Sequence, residues 1–328
     1  MLPLFPQSTN SHNGKIMCEN RTENEPHNTV QDFRHVMFIS ISVYSSVFGT
    51  IINFSSFVAL ISCRALRSKA ITILIFNMCA SDFFYCSVTI PLHLANYLYP
   101  KWLHRQGDFS AISYYLRYIP AAVDWSTISL IALERYFRIC RSLHHGVVFS
   151  VKNSYLYIIF IWLIPFLICG ASFLEFIDKL FMTCHHSTYG HYICKPVDSG
   201  TFAYIGYTIL PSYTNFGIIV FSYVAIYMKL SEAQRWRSKN RQGLPLWVST
   251  GETEVMKTSF IVVMLYMICV LPLPMLNVFD ECGKRRNFRM FFRCLYMQVY
   301  YVNNLVYMLR IPGYRNACLK LFRKLMWK

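Results

Sequence analysis

Charged residues are scarce in this chain. They make up 15% of its 328 residues, whereas apolar residues reach 55% and aromatic residues 17%. A soluble domain carries about 25% charged residues, so this composition excludes an ordinary water-soluble protein. The apolar excess predicts a chain for which the lipid bilayer is the solvent.

Acidic residues are the scarcer of the two charge signs, with 16 Asp and Glu against 32 Lys and Arg. On a soluble protein, a net charge of +16 would suggest nucleic-acid binding, but no zinc-finger spacing or RNA-binding motif is present. The basic residues lie mainly in short segments between apolar runs, which is typical of cytoplasmic loops. We therefore expect no nucleic-acid partner.

Signatures of several other protein classes are also missing. No two-fold repeat or pair of glycine-broken helices indicates a transporter. No H-E-x-x-H, G-x-S-x-G or P-loop pattern indicates an enzyme. The first thirty-five residues are mostly polar and contain no apolar signal-peptide core. We expect neither an enzyme nor a signal peptide, and a transporter is kept as the weaker alternative.

Seven apolar runs are long enough to cross a bilayer as helices, which takes about 20 residues each. They cover residues 36–62, 71–97, 114–139, 155–176, 202–230, 255–279 and 290–309. The predicted fold is therefore an all-α membrane protein, a seven-helix transmembrane bundle over 36–310. A tail over 1–35 precedes it, and residues 311–328 follow as an amphipathic helix on the membrane surface.

Basic residues predict the orientation of the bundle. Lys and Arg cluster in the connections between spans 1 and 2, 3 and 4, and 5 and 6, and in the C-terminal tail, so these segments should be cytoplasmic. The N-terminus is then extracellular, and the sequon at Asn20 agrees with that placement. We expect a multi-pass plasma-membrane protein. The basic connection between spans 6 and 7 is either solvated surface or an electrostatic funnel for an anionic ligand.

The C-terminal segment has apolar residues at helical spacing among basic ones, namely Cys318, Leu321, Phe322 and Leu325. This pattern predicts a helix lying on the inner leaflet. Cys318 is a candidate for palmitoylation, with a plain thiol as the alternative.

Charged and amide side chains inside the spans are costly in lipid and indicate function. In span 3, Arg117, Asp124 and Arg135 lie on one helix face, with Arg135 roughly 16 Å below Asp124. The full set is Asp82, Arg117, Asp124, Glu134, Arg135, Arg293, Asn303 and Asn304.

Short motifs recur in a fixed order along the spans. They are Gly49 and Asn53, the run from Asn77 to Asp82, Glu134-Arg135-Tyr136, Trp162, the run from Tyr223 to Ile226, the run from Cys269 to Pro272, and the run from Asn303 to Tyr307. Together they resemble the rhodopsin-like (class A) G-protein-coupled receptors. The resemblance implies a receptor that passes the binding of an extracellular ligand to a heterotrimeric G protein.

The resemblance also assigns an activation switch. It implies that Arg135 pairs with Glu134, inside the motif that Tyr136 completes, and reaches Glu252 while the receptor is off. Such buried charges are stable only while they are paired. Moving span 6 outward would break the pair, and Tyr223 and Tyr307 would then support the open state.

A sodium site is implied where Asp82, Asp124 and Asn303 should meet. Two carboxylates in one dry pocket need a cation or a shared proton. Asp124 stands where the family more often has serine, which predicts tighter cation binding. We expect no other cofactor.

Two arginines suggest the ligand class. Arg117 occupies the place of the aspartate of amine receptors, and Met297 occupies that of the retinal-linking lysine, so the resemblance implies neither an amine nor retinal. Arg117 and Arg293 fall at pocket-facing positions of the family, and guanidinium groups bind carboxylate or phosphate. An anionic small molecule or peptide is one interpretation. Internal pairing with Asp280, Glu281 or Glu175 is the other.

Several positions depart from the family pattern. No cysteine lies between Cys86 and Cys140, so the usual disulfide at the top of span 3 is missing. Four cysteines in polar stretches are disulfide candidates, with Cys184–Cys194 and Cys18–Cys282 as one of three pairings. The histidines between Cys184 and Cys194 leave a zinc site as the alternative. Val270 and Asn304 replace a tryptophan and a proline, which keeps open a receptor that does not couple to G protein.

Overall fold

A computed structural model of the chain describes residues 29–62, 68–99, 107–172, 183–186, 192–195, 210–240, 250–270, 272 and 286–326. Within these ranges, seven long helices correspond to the seven predicted spans, and the all-α fold class is confirmed. One short hairpin adds a little β-structure to it.

The helices and strands follow one another in a simple order. In sequence they are α1 (Thr29–Ser62), α2 (Ala70–Phe84), a π-helical turn (Tyr85–Thr89), α3 (Ile90–Leu98), α4 (Gly107–Cys140), α5 (Ser142–Val148), α6 (Val151–Ser172), β1 (Thr183–His186), β2 (Tyr192–Lys195), α7 (Leu210–Asn240), α8 (Thr250–Val270), α9 (Arg286–Arg310) and α10 (Pro312–Met326). The second span is thus α2, the π turn and α3 together.

The π turn has a local cause. Pro91 lies at the start of α3 and has no backbone N–H to donate to the preceding turn. Widening the preceding turn to π geometry accommodates that gap without breaking the span. The sequence analysis predicted a continuous span here and did not anticipate the turn.

Length and composition support membrane crossing most clearly for three helical segments. These are Phe33–Ser62, Ala70–Leu98 and Tyr213–Trp236. The bent pair Ser142–Val148 and Val151–Leu167, which meets at 61°, is a fourth when it is taken as one span. Other spans carry more charge, as α4 does with Asp124, Glu134 and Arg135.

Packing places α4 at the centre of the bundle. It contacts α2, α6, α7 and α8, while α1 packs against α2 and α9, and α8 packs along α9. Side-chain hydrogen bonds join these helices. Asn77 Nδ2 donates to Thr127 Oγ1 over 2.7 Å, and Trp162 Nε1 donates to Asn77 Oδ1 over 2.7 Å, so one asparagine connects α2, α4 and α6.

Candidate functional site

A group of buried polar side chains crosses the middle of the bundle, and we call it the midplane cluster. All of its members are fully buried, and they come from α1, α2, α4, α8 and α9: Asn53, Asp82, Asp124, Tyr266, Asn303 and Asn304. The predicted site residues Asp82 and Asp124 lie here together.

Asn304 is the member that joins three helices. Its Nδ2 donates to Asp82 Oδ2 over 3.0 Å and to Asn53 Oδ1 over 2.5 Å. Its Oδ1 accepts from the Cys79 thiol over 2.9 Å. Asn53 in turn donates to the carbonyl oxygen of Tyr300 over 2.7 Å. The residue at the family's proline position therefore connects α9 to α1 and α2.

Several polar atoms of the midplane cluster have no hydrogen-bond partner among the described residues. They are Asp82 Oδ1, Asp124 Oδ2, Asn303 Nδ2, Asn303 Oδ1 and the Tyr266 hydroxyl. The other oxygen of Asp124 accepts a hydrogen bond from Ser81. Buried polar groups are normally paired, so these unpaired atoms distinguish the midplane cluster from the rest of the described core.

The donor set of the midplane cluster fits a hard cation. Two carboxylate oxygens and an amide oxygen are oxygen ligands of the kind that such ions prefer. The described residues contain no group of three or more His, Cys, Asp or Glu able to hold a metal ion. A cation site here would therefore use two carboxylates and neutral oxygens. These are the residues predicted from the sequence, and the sodium site stays a prediction.

A second cluster surrounds the C-terminal end of α4, and we call it the cytoplasmic cluster after the side that the basic loops predict for it. Glu134 and Arg135 are each only 2% exposed, although both are charged. The guanidinium of Arg135 binds Glu134 Oε2 through Nε and Nη2. The other oxygen of Glu134 lies 2.8 Å from Nε2 of His145, on α5. The carboxylate is thus shared between two side chains from two helices.

Aromatic residues enclose the cytoplasmic cluster. The hydroxyl groups of Tyr223 on α7 and Tyr307 on α9 are buried and have no hydrogen-bond partner among the described residues. Tyr136 packs on Phe221 with ring centroids 5.4 Å apart, which joins α4 to α7. The structure brings four of the six predicted switch residues, Glu134, Arg135, Tyr223 and Tyr307, to the same end of the bundle, with Tyr136 beside them.

The sixth switch residue, Glu252, lies in α8, but its side chain is outside the described residues, so its contact with Arg135 stays a prediction. A neighbouring acid of α8 does have a described contact. Glu254 Oε2 lies 3.4 Å from Nη2 of Arg310, and Arg310 Nε donates to Thr258 Oγ1 over 3.3 Å. These contacts join the N-terminal end of α8 to the C-terminal end of α9.

Several predicted residues cannot be placed in a site. Asn20, Cys18 and Cys282 lie outside the described residues, and so does the side chain of Arg117 on α4. Arg293 is half-buried on α9. Strands β1 and β2 pair antiparallel with Cys184 opposite Cys194, and their side chains are outside the described set. The ligand and disulfide predictions therefore remain predictions.

Cys318, for which palmitoylation and a plain thiol were left open, lies on the packed face of α10. Its side chain is 2% exposed and packs into the hydrophobic core beneath α10. This burial raises the pKa of its thiol to about 11. Palmitoylation needs an accessible, nucleophilic sulfur, so the structure favours the plain-thiol interpretation over the lipid anchor.

Sequence reasoning missed two residues of these clusters. Asn304 was noted as a polar residue of span 7 and as a replaced proline, but the predicted sodium site contained Asn303 instead, although Asn304 is the residue whose amide binds Asp82. An additional amide side chain near a buried acid is a signal of such a role. Residue spacing alone, however, does not show which helix face carries Asn304. His145 lies in a loop with no apolar period, and no feature of the sequence pointed to it.

Comparison with known proteins adds an independent finding. The profile of the family described as "7 transmembrane receptor (rhodopsin family)" matches residues 52–307. Over 139 residues the chain is 31% identical to G-protein coupled receptor 84 of Bos taurus, covering 42% of this chain and 34% of that receptor. The match thus spans about a third of the length of that relative.

Two further relatives are more distant. Protein trapped in endoderm-1 of Drosophila melanogaster is 23% identical over 269 residues, which is 74% of this chain and 65% of that protein. Melanopsin-A of Danio rerio is 23% identical over 158 residues, which is 48% of this chain and 26% of that protein.

Proposed function

Because the chain belongs to the rhodopsin family of seven-transmembrane receptors, we propose that it is a receptor that converts the binding of an extracellular ligand into activation of a heterotrimeric G protein. It is a multi-pass membrane protein. Its place is the plasma membrane, with the N-terminus outside and α10 on the cytoplasmic side, as the basic loops predict.

The Glu134–Arg135 pair is the observation that carries this proposal. Both side chains are buried, and removing one member of a buried ion pair is strongly unfavourable. The pair is therefore stable in two arrangements only, one with the charges together and one in which Arg135 has found other partners. Tyr223 and Tyr307 supply unpaired hydroxyl groups close by. A ligand that binds one arrangement better shifts the population toward it.

The surface beside this pair suits a protein partner. On α5, Leu143 and Val147 are 91% and 74% exposed and lie four residues apart on one helix face. Arg138 and Arg141 are exposed next to them. Apolar anchors with a basic rim are typical of a docking site for an acidic protein surface. We assign this surface to the G protein.

In the midplane cluster we place a cation, with sodium as the ion. Asp82, Asp124 and Asn303 supply its protein ligands. Bound sodium would neutralise charge on the two carboxylates, and a proton shared between them would account for the remainder. Because α2, α4 and α9 all contribute to the pocket, sodium would favour the arrangement in which these helices are close.

For the ligand we propose an anionic small molecule or peptide, held by Arg117 and Arg293. The alternative is that both arginines pair within the protein. Replacing Arg293 with alanine separates these cases, because an anionic ligand would lose most of its potency. An unchanged dose response in Arg293→Ala would exclude an anionic ligand held by Arg293.

Activation of G protein in cells tests the receptor function itself. The wild-type chain is compared with Arg135→Ala, first without ligand and then with a panel of carboxylic acids and acidic peptides. We expect a signal in wild type and its loss in Arg135→Ala, with equal surface expression. Arg315→Ala, an exposed arginine of α10 outside this surface, is the matched arginine control for nonspecific effects on expression. A wild-type signal that Arg135→Ala retains would overturn the proposal.

A second candidate function is a receptor of this family that does not couple to G protein. Val270 and Asn304 favour it, because both stand at positions that move on activation in the family. In that case the wild-type chain would bind ligand at its surface without any Arg135-dependent signal.

A further inference from the structure

His145 reaches the switch from a different structural element. It lies on the short loop helix α5, where it and Val148 are half-buried and the other five residues are exposed. Its imidazole is the α5 group that contacts Glu134, at 2.8 Å. A carboxylate oxygen accepts hydrogen bonds, so the Nε2 atom that faces it carries the hydrogen.

Glu134 uses a separate oxygen for each partner. Oε1 accepts from His145, and Oε2 binds Arg135. The two contacts therefore do not compete for one lone pair, and one can persist while the other breaks. With Glu134 only 2% exposed, water cannot readily replace a lost partner.

The far end of α5 is attached independently of His145. Asn153 Nδ2 donates to the carbonyl oxygen of Val147 over 2.8 Å, and the Tyr157 hydroxyl donates to that of Val148 over 3.0 Å. Phe149 is buried between the rings of Phe137 and Tyr157. The C-terminal end of the helix is thus held by its own contacts, and its middle is held by His145, which binds Glu134 and stacks on Phe149 with ring centroids 6.2 Å apart.

We propose that His145 is a positioning residue that stays bound to Glu134 when Arg135 leaves, so that α5 remains attached to the acid of the pair in both arrangements. Without His145, release of Arg135 would leave a buried carboxylate with no donor, which is the costliest outcome for such a group. With it, the acid keeps one hydrogen bond in both arrangements. The same contact holds the exposed Leu143–Val147 face in place for the G protein. The inference rests on the proposed receptor function.

The first test does not need a G protein. Amide hydrogen exchange of α5 is measured on the full chain in lipid nanodiscs for wild type, His145→Phe and His145→Gln. Phenylalanine keeps a ring that can stack on Phe149, whereas glutamine keeps an N–H donor. We expect exchange in α5 to be about tenfold faster in His145→Phe, and close to wild type in His145→Gln, since hydrogen bonds to charged groups are of that strength. The exposed His144→Phe is the matched control.

The second test measures G-protein activation by the same variants. We expect His145→Phe to lower the Arg135-dependent signal about tenfold and His145→Gln to restore it, because only phenylalanine leaves Glu134 without a donor. Equal α5 exchange in wild type and His145→Phe would overturn the inference whether or not the chain signals. Faster exchange with an undiminished signal would overturn the coupling to Arg135. An absent wild-type signal with faster exchange would instead contradict the proposed function.

Discussion

Two buried acids of α4, Glu134 and Asp124, have different kinds of partner in the fold. At the C-terminal end of α4, Glu134 is bound by the guanidinium of Arg135 and the imidazole of His145. At the midplane, Asp124 accepts from a serine hydroxyl and has a second oxygen without a partner, and Asp82 accepts from an amide. The first acid has its counter-charge built into the chain, and the second has neutral donors only among its described contacts.

This difference separates two ways of making a switch. Where the chain supplies the cation, the two states differ by which side chains are paired, and the switch responds to movement of helices. Where the chain supplies no cation, a charge from solution must complete the site, and the switch responds to the concentration of that ion. Opposite effects of removing each acid would support the comparison.

The largest effect is expected at the cytoplasmic cluster. Replacing Glu134 with alanine removes the carboxylate that binds the buried guanidinium of Arg135, so we expect the free energy of unfolding to fall by about 3–5 kcal/mol. Thermal unfolding of the purified protein in detergent measures this change. The double variant Glu134→Ala with Arg135→Met should recover part of the loss, because no buried charge then remains. A double variant as unstable as the single one would show that the loss comes from packing and not from charge.

At the midplane, removing the acid should instead raise the free energy of unfolding. Asp124→Asn removes a buried charge and keeps an oxygen that can accept from Ser81, so in sodium-free buffer we expect stability to rise by about 1–3 kcal/mol. Sodium chloride, compared with choline chloride at equal ionic strength, should stabilise wild type and have less effect on the variant, because a bound ion stabilises the folded state. If Asp124→Asn is destabilised as Glu134→Ala is, the two acids do not differ in the way proposed here.

The features of this comparison that depend on composition and motifs could be predicted from the sequence. The features that depend on the orientation of a side chain around its helix could not. The spans followed from apolar length, and Glu134-Arg135 and Asp82 followed from their motifs. Asn303 and Asn304 are adjacent, so they point in directions about 100° apart on a helix. Which of them meets Asp82 depends on the rotation of α9, which packing sets. The role of His145 was not predicted, because its contact with Glu134 exists only once α5 packs against α4.

The role of Asn304 gives the next prediction. Asn304→Leu keeps a similar volume but removes the donor to Asp82 Oδ2 and Asn53 Oδ1, and it leaves the Cys79 thiol only its contact with the Tyr314 hydroxyl. We expect a loss of about 1–3 kcal/mol in thermal unfolding, because buried acceptors that lose a donor pay their full desolvation cost. Asn303→Leu is the matched control when both variants are measured in sodium-free buffer, since neither polar atom of that side chain has a described partner. Equal losses in the two variants would contradict the assignment of Asn304 as the residue that joins the helices.

The smallest effect is expected at the edge of the cytoplasmic cluster. Glu254 and Arg310 bridge α8 and α9, but their side chains are 50% and 41% exposed, and such pairs contribute about 0–1 kcal/mol. Lys257 also binds Glu254, so losing Arg310 leaves the acid with a partner. Reversing one charge, as in Glu254→Arg or Arg310→Glu, should raise the basal signal slightly by loosening α8 from α9, and reversing both should restore the wild-type level. If a double-mutant cycle shows no coupling between the two positions, the exposed pair does not restrain α8, and the buried pair of Glu134 and Arg135 alone does so. That result would sharpen the contrast between charges that the fold buries and charges that water screens.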